Sequence, residues 1–218
     1  MKKRITTIFT LAALTIATVS CKDKAKEATT AEVQEVKTEA SASQKYIADA
    51  AASSIQWKGN KPGGSHNGTI KIENGVLSAN GDKIESGSFL INMGSIVVED
   101  IPADDKMNGK LLGHLKDADF FDVEAHPNAA FEITGSTVAE GKTMLSGNLS
   151  IKGIKHNITF PVSVTNDANG LTLTSETFTI DRTKWDIKYK SKSVFGDLGD
   201  KFINDDIELK ITVKAAKA

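Results

Sequence analysis

Between residues 114 and 133 the chain reads HLKDADFFDVEAHPNAAFEI. Its first thirteen positions hold six groups able to ligate a metal or move a proton: His114, Asp117, Asp119, Asp122, Glu124 and His126. A metal site needs several of these on one face, with further ligands brought by a second segment. HExxH, paired-cysteine and calcium-loop patterns are absent from the chain. His114 lies near the end of an apolar helical pattern, where imidazole can cap carbonyls and complement the dipole. Asp117 and Asp119 fall just past that end, at positions suited to turns or to capping another helical turn around Phe120 and Phe121. Pro127 then sets an extended lead-in to a strand from Ala129 to Ile133. The stretch reads as turn-forming carboxylates around two apolar anchors, with no metal site expected.

Other candidate groups read the same way. Arg182 is the only arginine beyond Arg4, and its chemistry allows either an ion pair with Asp181, Asp186 or another acid, or contact with a polar headgroup; the pair is the reading adopted. His66 follows a glycine-rich turn and His156 lies at a hairpin, so both are read as turn residues. Gly196 and Gly199 alternate with Asp197, Asp200, Asp205 and Asp206 in a loop whose spacing fits no EF-hand. With no G-x-S-x-G elbow, phosphate loop or zinc helix, no catalytic residue and no cofactor are expected.

The elements that must position these groups are mostly strands. Ile207, Leu209, Ile211 and Val213 alternate with polar residues, and Ile158, Phe160, Val162 and Val164 alternate with Thr159, Pro161 and Ser163; Phe89, Ile91 and Met93 share a face. Ile70 with Ile72, Leu149 with Ile151, and Leu171 with Leu173 do the same. Asn74-Gly75, Asn80-Gly81, Glu140-Gly141, Lys152-Gly153 and Asn169-Gly170 supply turns between them. Such short connections join antiparallel neighbours, and about eight strands emerge. That number suits a sandwich or a closed barrel. The exception is residues 107–116, where Met107, Leu111, Leu112 and Leu115 fit one face of a short helix weakened by Gly109 and Gly113.

The two ends differ in character. Lys2, Lys3 and Arg4 precede an uncharged run from Ile5 to Val19, so residues 1–20 are read as a secretory signal too short to span a bilayer. Cys21, the single cysteine, follows directly, and Thr18-Val19-Ser20-Cys21 resembles a lipoprotein site at which that residue is acylated. Residues 22–44 hold only Val33 and Val36 as large apolar side chains, which makes 21–44 a lipidated N-terminus and flexible tether of about 75 Å reach. Of 27 Lys and Arg, three fall in the leader, leaving 24 against 28 Asp and Glu, a net −4 that argues against nucleic acid.

Four ordered blocks carry a family resemblance: GSFLINMGSIVVEDI, the opening stretch, LSGNLSIKGIKHNITFPV, and FTIDRTKWDIKYKSKSVFGDLGDKFINDDIELKITV. Over nearly all of residues 45–214 they resemble the YceI family of lipid-binding proteins, with FGDLGDKFINDDIEL and the lipoprotein-like leader similar to members from Bacteroidetes. The resemblance implies an all-β, eight-stranded antiparallel lipocalin-like barrel over 45–218, with a short helix near its mouth. It departs from the family at Asn92 and at His126, where many relatives carry an aspartate and an aromatic residue. It implies a polyisoprenoid or other long-chain lipid as ligand, and it allows a homodimer. No catalytic residue is carried over.

If the barrel is hollow, the lining falls to Ile55, Trp57, Phe89, Ile91, Met93, Phe131, Ile133, Phe160, Val162, Phe178 and Ile180, with Leu115, Phe120, Phe121 and Trp185 as further pocket candidates. A narrow apolar tunnel and a dry core would use the same side chains. The expected function is non-enzymatic binding, storage or transport of a long apolar ligand. The chain would be exported to the periplasm or outer membrane, with the membrane as partner through acylated Cys21. The alternative is a structural or interaction module of the envelope with a filled barrel, presenting residues 191–206.

Overall fold

The computed structural model describes residues 25–36 and 43–218. The leader and Cys21 lie outside the described residues. In chain order the elements are β1 (Lys26–Glu27), β2 (Thr29–Ala31), β3 (Gln44–Ala48), β4 (Ser54–Lys61), β5 (Gly64–Asn80), β6 (Lys83–Val98), α1 (Lys106–Lys116), β7 (Asn128–Ala139), β8 (Lys142–Ile151), β9 (Ile154–Asp167), β10 (Gly170–Ser175), β11 (Phe178–Asp181) and β12 (Asp206–Lys217).

Period-two alternation becomes a closed ring. Antiparallel ladders run from β4 through β5, β6, β7, β8 and β9 to β10, and β12 then pairs both β10 and β4. β3 and β4 share one place in the ring, both pairing β5 and β12, and β10 and β11 share another along β12. Eight places therefore close into a ring along β10, which leaves few unpaired backbone groups among the described residues. The inward parity holds around the ring, so Phe89 faces Phe131 in register and Ile55 pairs both Ile211 and Ile70.

Four of the five expected turn dipeptides sit at strand ends. Glu140-Gly141 and Lys152-Gly153 adopt positive φ, 52° and 74° in the first and 50° and 74° in the second, the conformation that two-residue hairpins require. Asn74-Gly75 does not turn. It lies inside β5 beside a register shift, with Gly75 opposite Phe89. A Cβ on Gly75 would stand 2.2 Å from Phe89 Cδ1, so the glycine marks a close approach of an aromatic ring to the strand.

The helix forms where expected. Asp105 caps it, accepting from the Met107 amide at 2.8 Å. Leu115 is buried and Leu111 and Leu112 are half-buried, whereas Met107 points away and is 55% exposed. The buried Asn108 takes up the work expected of Met107: its Nδ2 donates to Val98 O at 3.1 Å and Ile101 O at 2.8 Å, tying the helix to the end of β6.

Residues 25–36 correct the expectation of a tether. The ring splits after Ser175, where β11 leaves the side of β9, and the N-terminal segment enters the gap. β1 pairs β11 in parallel and β2 pairs β9 antiparallel. Ala28, between them, is buried and donates its amide to Thr179 O at 2.8 Å. Further on, the segment meets β8, where the Asn148 side chain accepts from the Gln34 amide at 3.0 Å and donates to Gln34 O at 2.7 Å. Val33 and Val36 remain exposed. What orders the segment is backbone pairing offered by a partner surface, a contribution that its own poor apolar content does not register.

Candidate functional site

The ring encloses a cavity of about 110 Å³ in which every lining side chain except Arg182 is apolar or aromatic. Of the sequence candidates, Ile55, Trp57, Phe89, Ile91, Met93, Phe121, Phe131, Phe160, Phe178 and Ile180 line it. The aromatic rings are ordered against one another: Phe160 stacks on Phe178 at 4.2 Å and 9°, and Phe131 tilts toward Phe160 at 5.8 Å. Glycine makes room for Phe131 as it does for Phe89. A Cβ on Gly147 would stand 2.3 Å from Phe131 Cζ, so the ring lies flat across β8.

A second chamber of about 240 Å³ lies at the helix end of the ring and shares Trp57, Phe121, Arg182 and Ile207 with the first. Leu115 and Phe120 line this one. Trp57 is positioned at the junction by donation from Nε1 to Val97 O at 3.2 Å.

Three candidates lie elsewhere. Val162 and Ile133 are buried but do not reach either cavity wall; both sit in the packed end of the ring beyond Phe160 and Phe131. Trp185 is fully buried behind the wall, its Nε1 donating to Leu149 O at 3.1 Å and its ring edge-on to His156 at 5.3 Å. His156, read as a hairpin residue, has Nε2 2.9 Å from Lys184 O and so holds the short helical turn of residues 182–185 against β9. Lining residues missed from the sequence include Ile70, Ile72, Leu209, Ile211 and Val213, all legible from strand parity. Ile187 had no such signal, because it comes from the irregular chain after β11.

Arg182 is the unexpected member. It is 1% exposed and abuts both cavities. Its Nη1 donates to Ile187 O at 2.6 Å, Nε to Asn204 O and Nη2 to Ile203 O, both at 3.1 Å. Its acid partner is Asp205, at 3.5 Å, while Asp181 instead caps the following turn through the Thr183 amide at 2.9 Å. The guanidinium also stands 5.7 Å from the centre of the Phe120 ring. Burial weakens its hold on the proton, and the charges of Asp205 and Asp181 oppose that shift. Arg182 thus clamps residues 187 and 203–204 into a roof over the ring.

The opening stretch behaves as a wrapper. The Phe121 and Val123 amides donate to Leu115 O and Lys116 O, folding the chain back on α1 and burying Phe120 and Phe121. Asp117 ends the helix with its backbone amide. His114, Asp117 and Asp119 bring ligand-capable atoms within 4.8 Å of one another, but the two carboxylates are exposed. Among the described residues His126 pairs with Asp122, at 4.0 Å, and Glu124 faces solvent. His66 holds Asp100 at 2.8 Å. Among the described residues the loop acids 197, 200, 205 and 206 form no ligand cluster.

A model of the YceI-like domain matches residues 46–215. No curated protein sequence matches. Among solved structures, BcnA of Burkholderia cenocepacia is similar at a TM-score of 0.61 and 21% identity, over 78% of this chain and 99% of that one. A polyisoprenoid-binding domain from Saccharophagus degradans, implicated in plant cell wall breakdown, is similar at 0.55 and 12% identity, over 79% and 98%. At these identities the two structures establish a shared fold. The family match runs from within β3 to within β12 and so takes in the whole ring, and on that ground the chain belongs to the family of YceI-like domains.

Proposed function

We propose that this chain is a non-enzymatic carrier or store for a long apolar ligand, a polyisoprenoid or another long-chain lipid, held inside a lipocalin-like barrel in the bacterial cell envelope. The observation that carries this reading is the inner cavity, whose wall offers a tail no polar group except an arginine whose three nitrogens each donate to a backbone carbonyl. An apolar tail entering such a space gains about 25 cal/mol for each Å² it hides from water, with no polar group to desolvate in return. The polyisoprenoid-binding domain of Saccharophagus degradans, similar in fold, supports the ligand class. The mouth chamber extends the space available and connects it to the helix end.

Export and acylation of Cys21 complete the proposal. Because residues 25–36 dock on the ring, the four residue steps from Cys21 to residue 25 can reach at most about 14 Å, not the length of a long tether. An acylated Cys21 would therefore hold the ring against the membrane surface. Delipidated protein titrated with farnesol, geranylgeraniol and palmitate, with Trp57 fluorescence as the readout, should show saturable binding. Material purified from native membranes should release a defined lipid to organic solvent. Absence of both defeats the carrier reading. Cys21→Ser should move the protein from the membrane to the soluble fraction, and retention at the membrane would refute anchoring.

A further inference from the structure

The ring has a seam. β9 and β10 stay paired as far as Val162 and Ser175, and the Glu176 amide still reaches Pro161 O at 3.2 Å. Beyond that point β9 and β11 part, and residues 26–31 occupy the place of one strand between them. Both lips of the seam are cavity wall: Ile158 and Phe160 on β9, Phe178 and Ile180 on β11. Carried on by one residue, the two registers set Ala28 opposite Phe160 and Ile180 together, and Ala28 is buried. Residues 26–31 therefore close the inner cavity along one side.

This cover is held lightly. Its ladders comprise two positions on β11 and three on β9, and Ala28 is the one buried side chain among residues 25–36. The ion pair of Glu27 with Lys184, at 3.1 Å, is exposed and contributes little, and Glu27 opposes the ionisation of Asp206. Thr30 Oγ1 is hidden from solvent without a hydrogen-bond partner, a cost that the docked segment bears. The roof at the helix end is tied more firmly, by three hydrogen bonds from the buried Arg182 guanidinium, and charged donors bond more strongly than neutral ones. Local opening draws on the least stable element, and of these two covers that is the N-terminal segment. The ring does not need the segment for closure, because β12 pairs both β10 and β4 and the family match begins at residue 46. Lifting the segment would leave two inter-strand spacings, roughly 9–10 Å, between the backbones of β9 and β11. One hydrocarbon chain could pass there once the stacked rings of Phe160 and Phe178 move apart.

We propose that residues 25–36 are a detachable strap, and that the apolar ligand enters and leaves the inner cavity sideways, through the seam between β9 and β11, when the strap lifts. The inference rests on the carrier reading and specifies the route of exchange. Cys21 lies four residues before the strap, so its acylation would hold this side of the ring beside the bilayer that supplies the ligand.

The test fastens the strap to its lip. Thr29 and Thr159 are opposite one another in the ladder of β2 with β9, a spacing that a disulfide can span. Thr29→Cys/Thr159→Cys, in the full chain carrying Cys21→Ser, can be closed by oxidation and reopened with dithiothreitol. The probe is farnesol, followed by stopped-flow Trp57 fluorescence. In the oxidised protein association and dissociation should both slow at least about tenfold while affinity stays within about twofold, because a gate acts on both directions alike. Reduction should restore both rates. Ala28→Asp, verified as folded by its thermal midpoint, sets a charge in the buried slot and should release the strap, speeding both rates at least about threefold. Exchange as fast in the oxidised protein as in the reduced one overturns the side route and leaves the carrier reading intact. Native rates in Ala28→Asp do the same, and decide alone if the disulfide does not form. Failure of the native chain to bind farnesol, geranylgeraniol or palmitate removes the carrier reading and this inference together.

Discussion

Arg182→Met isolates what the buried guanidinium does. The substitution keeps length and volume but deletes three donors, at 2.6, 3.1 and 3.1 Å from the carbonyls of Ile187, Asn204 and Ile203. It also leaves Asp205 without its cation. Hydrogen bonds to a charged group contribute about 1.5–3 kcal/mol each, but they share one side chain and do not add. Leaving these three carbonyls without their donor costs about 1–3 kcal/mol for each, less than additively, so about 3–5 kcal/mol together. In a domain of this size it corresponds to a fall in Tm of about 6–20 °C. Asp205→Asn is the control. The Asp205 side chain is 19% exposed and its Oδ1 stands 3.5 Å from Nη2 without a hydrogen bond, so its loss should cost about 1 kcal/mol or less. Urea unfolding followed by the buried Trp57 and Trp185 reports both variants. If Arg182→Met lies within about 1 kcal/mol of the native protein, the roof does not depend on this clamp. If Asp205→Asn costs as much as Arg182→Met, the ion pair and not the carbonyl set carries the stability.

Further outcomes follow from other parts of the ring. Gly147→Ala places a Cβ 2.3 Å from Phe131 Cζ, so Phe131 must swing into the cavity; a loss of about 1–3 kcal/mol in thermal unfolding and weaker farnesol binding are expected. Asp206 is held above the ordinary aspartate value, first by burial and then by Glu27, Asp181 and Asp205, with Lys184 opposing. The folded state therefore keeps that proton more tightly than the unfolded chain, and stability is lost as pH rises through the range above the ordinary value. Asp206→Asn should raise the melting midpoint at about pH 7 and leave it unchanged near pH 3, where both forms are neutral. Asn148→Ala removes both hydrogen bonds to Gln34 and one from Asn157. Amide hydrogen exchange should accelerate over residues 26–34 and stay slow in β5 and β6; unchanged exchange in the N-terminal segment would show that strand pairing alone holds it.

Strand content, the helix and most of the cavity wall were legible because each is a local pattern. Phe89, Ile91 and Met93 recur at every second position, and that parity alone sends them to one side of a pleated strand. The limits of parity are equally concrete. Val162 follows Phe160 in the same phase, yet lies deeper in the packed end of the ring, because periodicity gives the face and not the height along it. Asn74-Gly75 has the composition of a turn, but serves β5 as a bulge beneath an aromatic ring carried by β6.

Composition and alternation by themselves determined a mostly-β domain with one short helix, an apolar inner face and turn-forming carboxylates around Phe120 and Phe121. The tertiary structure decided where backbone and charge find partners. Residues 25–36 carry too little apolar surface to order themselves, and they become part of the ring only because the split between β9 and β11 offers unpaired backbone. Arg182 reads from the sequence as the partner of Asp181, Asp186 or another acid; the fold selects Asp205, and burial adds acceptors on residues 187, 203 and 204. Local preferences act within a few residues along the chain, whereas satisfying a buried donor or an open ladder depends on which distant segments the closed ring brings alongside.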